Sequence, residues 1–413
     1  MPPASAADEG HRTDEAPPSI WQFVAVAEYV PPPPDVVETT RRRISTLWRR
    51  LKPDIEEPVP HVKPEDELTT LPEWQLRRAA PPPEWVEAAE ALDSALEDWV
   101  TGPPEDEPVR LLVTPPHIGR DQIFTAWAEQ HEWRLVSPPS AEQILARDEA
   151  WLSEQFSGDG PWVLVDLERL CLRHARGLDL ICSFLDRAHA GDLGPGLIGC
   201  DSWAWAFLDH VWRGWLPPTL TLQAYDEHRL AVCFRHLART MGGRQVRFRQ
   251  SDDGSDVLPP PDAAIPTDHQ SDFLHHLATY SRGNLGVAWA IWRTALSSEP
   301  VADVPDEEEA DQQMVGRTIW VTPWSHVEHP TLPAGAGRDT AFVLHALLLH
   351  RGLVTEMLPR LLPMTTTRIR EILNALRVAG LVSRDRELWQ VTATGYPAVR
   401  EFLQRNGYLT DAF

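Results

Sequence analysis

The stretch "VRLLVTPPHIGRDQIF", residues 109–124, decides how this chain is read. Val109, Leu111, Leu112 and Val113 form an apolar run of the length of one buried strand. "TPPHIG" breaks that run, since adjacent prolines and a glycine continue neither strand nor helix. "RDQIFTAWAEQHEW" then has the spacing of an amphipathic helix. The same alternation continues downstream. "RLV" is strand-like, and "SAEQILARDEAWLSEQF" is helical with Ser140 as its N-cap. "PWVLVDL", "GLIGC" and "TLTLQ" are further strands, each followed by a helical segment. Five short apolar strands alternating with helices predict a parallel sheet covered on both faces.

The flanks extend this α/β core. "PEWVEAAEALDSALEDWV" (83–100) carries an apolar stripe of Trp85, Ala89, Leu92, Leu96 and Trp99, with Pro83 suited to the helix start. After 225 the strands largely stop and three helices follow, interrupted by a polar insertion at 242–268 with a hairpin signal at "DDGS". "VADVPDEEEADQQ" (301–313) marks a domain boundary. The remainder reads helix, helix, helix, hairpin, helix. Ile369, Ile372, Leu373 and Leu376 form the inward face of the third helix, and a two-stranded wing turns at Asp385. That order is a winged helix-turn-helix. The expected division is an arm at 1–82, a core at 83–225, a helical lid at 226–300, a linker and connecting segment at 301–337, and the winged helix at 338–413.

Composition narrows the function classes. The net charge of −23 argues against a large contact with a nucleic-acid backbone. The four cysteines form no C-x-x-C pair and read as small buried hydrophobes. His228, Cys233 and His236 match no zinc spacing, so no metal is expected. A polar, acidic N-terminus and the absence of an 18-residue apolar run predict a cytoplasmic protein. The 39 prolines cluster, as in "PPPP" (31–34) and "PPP" (81–83), which reads as extended linker outside the core. Within the arm, residues 36–53 have the pattern of a basic amphipathic helix bearing Trp48, suited to a protein partner or an anionic membrane surface.

The turn at 114–121 is then compared with the phosphate-loop template G-x-x-x-x-G-K-[ST]. There, glycines let backbone N–H groups wrap the phosphates, a Lys reaches the β- and γ-phosphates, and a hydroxyl binds Mg²⁺. Here Thr114 stands at the first Gly, Gly119 keeps the second, Arg120 replaces Lys, and Asp121 replaces the hydroxyl. Pro115 and Pro116 remove two N–H donors. The only lysines are Lys52 and Lys63, so no displaced lysine is available within the core. On the strand "WVLVDLERL", Asp166 occupies the Mg²⁺-associated position. Leu167 stands where a catalytic Glu belongs, and Glu168 is one place late, with its side chain expected to point elsewhere.

This order of parts resembles the AAA+ and STAND-like P-loop ATPases with a C-terminal winged helix, of origin-recognition type, over roughly residues 83–410. The resemblance implies that "GLIGCDS" is the sensor-1 strand, with Asp201 or Ser202 near the γ-phosphate. It also implies Arg282 as sensor 2, Asn284 capping the lid helix, and Arg213 as an arginine-finger candidate. Nucleotide contacts would fall on Gly119, Arg120, Asp121, Asp166, Ser202 and Arg282. Asp166 and Glu168 would be the catalytic candidates if the site were active. Because the departures sit in the loop and at the catalytic Glu, the expectation is a fold without ATP hydrolysis, binding no cofactor or only weak ATP or ADP.

In the terminal domain, Arg368, Arg370, Arg377, Arg384 and Arg386 lie off the apolar face. With 10 Arg against 7 Asp/Glu, residues 338–413 carry a net +3, which permits DNA contact but favours protein packing. The leading expectation is therefore a scaffold or regulatory adaptor docking through its winged helix and arm. Three rivals stay open: an active or partner-completed ATPase, a DNA-binding regulator and a peripheral membrane adaptor. The sequence does not fix the oligomeric state.

Overall fold

The structure, a computed structural model, describes residues 20–33, 63–64, 67–102, 107–158, 160–212, 214, 217–240, 246–260, 271–300 and 317–413. The segment 36–53 with Trp48, and Arg213, lie outside the described residues. The N-terminal part contributes β1 (Phe23–Ala25), β2 (Thr69–Thr70), α1 (Glu73–Ala79) and α2 (Trp85–Thr101). The alternating region gives β3 (Val109–Thr114), α3 (Arg120–His131), β4 (Arg134–Leu135), α4 (Ala141–Ala146), α5 (Glu149–Gln155) and β5 (Trp162–Leu164). It continues through α6 (Asp179–His189), β6 (Gly196–Asp201), α7 (Ser202–Val211) and β7 (Thr219–Leu222).

The main sheet has six strands, in the order β1-β7-β3-β6-β5-β4, where the sequence suggests five. The strands β7 to β4 in that order are parallel, and β1 adds an antiparallel edge with Phe23 opposite Leu222. The extra strand, β1, comes from the N-terminal arm. Trp21 is buried, with its ring 5.3 Å from Trp85 and 6.4 Å from Tyr225. Apolar burial of an indole outweighs the local polarity of the arm. The "PPP" stretch is likewise part of the packed body, with Pro81 and Pro83 buried. The Pro81 carbonyl accepts the Trp289 indole N–H at 2.7 Å.

Tryptophans fill much of the interior, and Trp127, Trp162, Trp203 and Trp292 are fully buried. Gly196 is required here: a Cβ at that position would lie 2.2 Å from the Trp162 ring. The indole N–H of Trp162 is satisfied by the Leu193 carbonyl at 2.7 Å.

Beyond the sheet come α8 (Glu227–Thr240), β8 (Arg247–Gln250), α9 (Asp272–Ser281), α10 (Leu285–Thr294), β9 (Leu296–Ser298) and β10 (Thr318–Val321). The strands did not stop at 225. A second sheet, β2-β9-β10-β8, pairs β8 parallel to β10, and the hairpin read at "DDGS" is reduced to a single bridge between Arg249 and Asp256. Short strands separated by long insertions carry too little periodicity to be recognised singly.

The C-terminal part contains α11 (Arg338–Leu349), β11 (Leu353–Val354), α12 (Leu358–Leu361), α13 (Thr366–Val378), β12 (Val382–Asp385), β13 (Leu388–Val391) and α14 (Tyr396–Arg405). Thr365 caps α13 through its hydroxyl, and Ile369, Ile372, Leu373 and Leu376 are its buried face. The hairpin has a third strand, giving the order β11-β13-β12. Its turn places Arg386 in the left-handed region at φ 52°.

Candidate functional site

The parallel register brings the ends of three strands together. Thr114 at the end of β3 pairs with Asp201 at the end of β6, and Leu164 of β5 pairs with Ile198. The loop after β3, Asp166 and Asp201 therefore share the carboxyl edge of the sheet, where open α/β sheets bind ligands.

The loop is held from outside by two elements. Gly119 precedes α3, and a Cβ there would lie 2.2 Å from the Trp85 ring, so this glycine is demanded by Trp85 packing. From the other side, the Asn284 amide donates to the Pro116 carbonyl at 2.7 Å, while its Oδ1 accepts from the Val287 N–H. Asn284 thus caps α10 and ties that helix to the loop. A Cβ at Gly286 would come within 2.0 Å of the His117 carbonyl oxygen. His117 itself takes φ 67°, and burial pushes its imidazole down to about 4.

Arg120 turns into the protein. Its side chain is 2 % exposed; Nη2 donates to Asp166 Oδ1 at 2.6 Å and also to Glu168 Oε1. Glu168 is fully buried, and its other oxygen accepts the Asp201 backbone N–H at 3.1 Å. The expectation that Glu168 points elsewhere is thus corrected. A 3-10 turn, Leu167–Leu170, replaces continued strand after β5 and swings Glu168 back to the same side as Asp166.

A second guanidinium arrives from the C-terminal part. Arg351, just after α11 and at φ 52°, donates through Nη1 to Asp166 at 2.6 Å and to Asp121 at 2.7 Å, and through Nη2 to Asp121 at 3.1 Å. Arg169 adds a contact to Asp166 at 3.1 Å. Burial would raise the Asp166 carboxyl, but Arg120, Arg351 and Arg169 outweigh it and hold the group below its ordinary value. Burial would also lower Arg120, and Glu168, Asp166 and Asp201 reverse that. Asp201 is the exception: burial and the Glu168 charge push it up to about 8. It still caps α7, accepting the Trp203 N–H at 3.0 Å. Three arginines, Arg120, Arg351 and Arg169, thus face three carboxylates, Asp121, Asp166 and Glu168. The remaining cavity, lined by Pro116, His117, Asp121, Asp201 and Arg351, is about 250 Å³. That lies below the roughly 300–1,000 Å³ usual for small-molecule sites.

Ser202 and Arg282 are both engaged by the segment 411–413. Ser202 donates to Asp411, which also takes Arg400 Nε at 3.1 Å. Arg282 donates to the Phe413 carbonyl at 2.8 Å, and the Phe413 ring meets Tyr29 edge-on at 4.9 Å. The structure therefore brings Arg120, Asp121, Asp166 and Glu168 into one network and turns Arg282 away from it. Arg351, Asp411 and Trp85 were missed as site residues. Arg351 lies 230 positions from Asp121, and no local pattern announces such a contact.

On α13 and its hairpin, Arg370, Arg377, Arg384 and Arg386 are exposed. Arg368 is drawn to Asp339 at 3.2 Å and Glu371 at 3.4 Å, and Arg384 pairs with Glu387.

No protein-family model matches the chain, and no curated protein matches its sequence. Solved structures do show similarity. RuvB, the Holliday junction branch migration motor of Thermotoga maritima, is 15% identical, with 78% of this chain and 94% of that one covered, at a TM-score of 0.33. Cdc6p from Pyrobaculum aerophilum is 14% identical, covering 79% and 95%, at 0.30. The Walker-type ATPase PabY2304 of Pyrococcus abyssi is 11% identical, covering 79% and 97%, at 0.30.

Proposed function

We propose that this chain is an AAA+-type P-loop ATPase fold whose nucleotide site is closed by its own side chains. It would act as a non-hydrolysing scaffold or regulatory adaptor, docking partners through a C-terminal winged helix and the N-terminal arm. One observation carries this reading: the Arg120 guanidinium, at the position of the phosphate-binding Lys, is buried against Asp166 and Glu168. A Lys that binds phosphates must project into the loop, and a Mg²⁺-binding carboxylate must be available to water and metal. Here the first is turned inward and the second is taken by arginines. Calorimetric titration with ATP and ADP, with and without Mg²⁺, tests the reading. No heat up to millimolar nucleotide is expected. Tight, Mg²⁺-dependent binding would move the active or partner-completed ATPase to the front.

The exposed Arg370, Arg377 and Arg386 favour a second reading, in which the winged helix contacts nucleic acid. Duplex binding with a steep salt dependence, weakened by Arg370→Ala plus Arg377→Ala, would support it.

A further inference from the structure

A second cavity, of about 430 Å³, opens on the small sheet and is lined by Lys63, Arg249, Glu299, Arg317, Thr318 and Trp320. Its construction is unusual for a chain with a net charge of −23 and two lysines. Parallel pairing sets Arg249 of β8 beside Trp320 of β10, while Arg317 immediately precedes β10. Lys63 is pinned there by its backbone N–H, which donates to the Ser251 carbonyl at 3.0 Å.

Carboxylates answer these cations only in part. Lys63 Nζ meets Glu67 at 3.0 Å and Glu299 at 3.4 Å. Arg249 gives Nε to Asp256 at 3.2 Å. Of these acids only Glu299 lines the cavity. Arg317 Nη1 is buried and meets no acceptor among the described residues. A buried guanidinium N–H without a partner is costly, and a guanidinium fork fits phosphate oxygens in two-point contact. Thr318 adds a hydroxyl to the lining.

We propose that this cavity binds a small phosphate-bearing ligand, with Arg317 and Arg249 as its forks and Lys63 as a point charge. The site is separate from the Arg120–Asp166 network, which lies at the end of the main sheet.

Inorganic phosphate is the probe, titrated into the full chain by calorimetry and followed by the indole N–H signal of Trp320, assigned with Trp320→Phe. Saturable millimolar or tighter binding that shifts this signal is expected. Losing one charge-assisted contact is worth about 1.5–3 kcal/mol, so Arg317→Gln and Arg249→Gln should each weaken binding roughly tenfold or more. Arg405→Gln, on α14, should leave it unchanged. Circular dichroism separates lost binding from lost folding. If the variants fail to fold, the Trp320 signal of the unaltered chain decides the matter. The proposal is overturned by an unmoved Trp320 signal, by no saturable binding, or by binding that survives the double substitution.

Discussion

Removing Arg351 gives the sharpest test of how the sheet edge is closed. Its guanidinium bridges the C-terminal part to the core through Asp121 and Asp166. The two contacts are not equal. The Asp121 side chain is 62% exposed, so its share is that of a surface pair, about 0.2–1 kcal/mol after solvent screening. Asp166 is only 14% exposed. Breaking a buried pair typically costs about 3–5 kcal/mol, because a charge is left uncompensated. Asp166 keeps Arg120 and Arg169, however, so the loss should fall short of that range. Arg351→Ala is expected to cost about 2–3 kcal/mol, on the order of 30–150-fold in the closed-to-open ratio. Urea unfolding measures the total, and hydrogen exchange near α11 and the loop after β3 locates it. A double-mutant cycle with Asp121→Asn should return a coupling at the low end, since that pair is the weaker one. A cost below about 0.5 kcal/mol, with unchanged exchange at the loop, would refute the view that Arg351 clamps this edge.

Other substitutions follow from the same geometry. Arg120→Met would leave Asp166 and Glu168 facing each other with fewer cations, and a loss of about 3–5 kcal/mol in denaturant unfolding is expected. Gly119→Ala would drive a methyl group into the Trp85 ring, costing about 1–3 kcal/mol by thermal or urea unfolding. Asp201→Asn keeps the cap on α7 while removing a titrating group. Because Asp201 is raised to about 8 in the fold, the folded chain holds a proton that the unfolded chain releases near the ordinary carboxylate value. This group's contribution is therefore full at acid pH and declines as pH rises from about 4 to about 8. Stability measured across that window should slope less in Asp201→Asn; an identical slope would remove Asp201 as the cause.

Much of the fold was legible because period and punctuation are local. The strand–turn–helix at 109–131 and the inward face of α13 needed only the spacing of apolar residues. The arm was misread because proline content describes the unfolded chain's stiffness, not whether Trp21 finds Trp85. The small sheet was missed because β8, β9 and β10 are three or four residues long and joined through intervening segments. At the site, the residue types at 119–121 and 166–168 were readable, but their pairings were not. Glu168 was assigned to the wrong side by assuming that the strand continued, whereas one 3-10 turn reverses that inference. Arg351 and Asp411 belong to contacts spanning about two hundred residues, where periodicity carries no information.

The changes in the loop make more physical sense together than singly. Arg120 in place of Lys supplies a fork able to neutralise Asp166 and reach Glu168 at once. Asp121 in place of a hydroxyl gives Arg351 its second acceptor. Together they tie two guanidiniums and three carboxylates into one network, buried at Arg120 and Glu168 and screened by solvent at Asp121. On the proposed reading, the site has been rebuilt as an internal joint between the core and the C-terminal part. Restoring Lys at 120 would then fail to restore nucleotide binding. The Lys would lack the fork for two carboxylates, and Arg351 would still occupy Asp166.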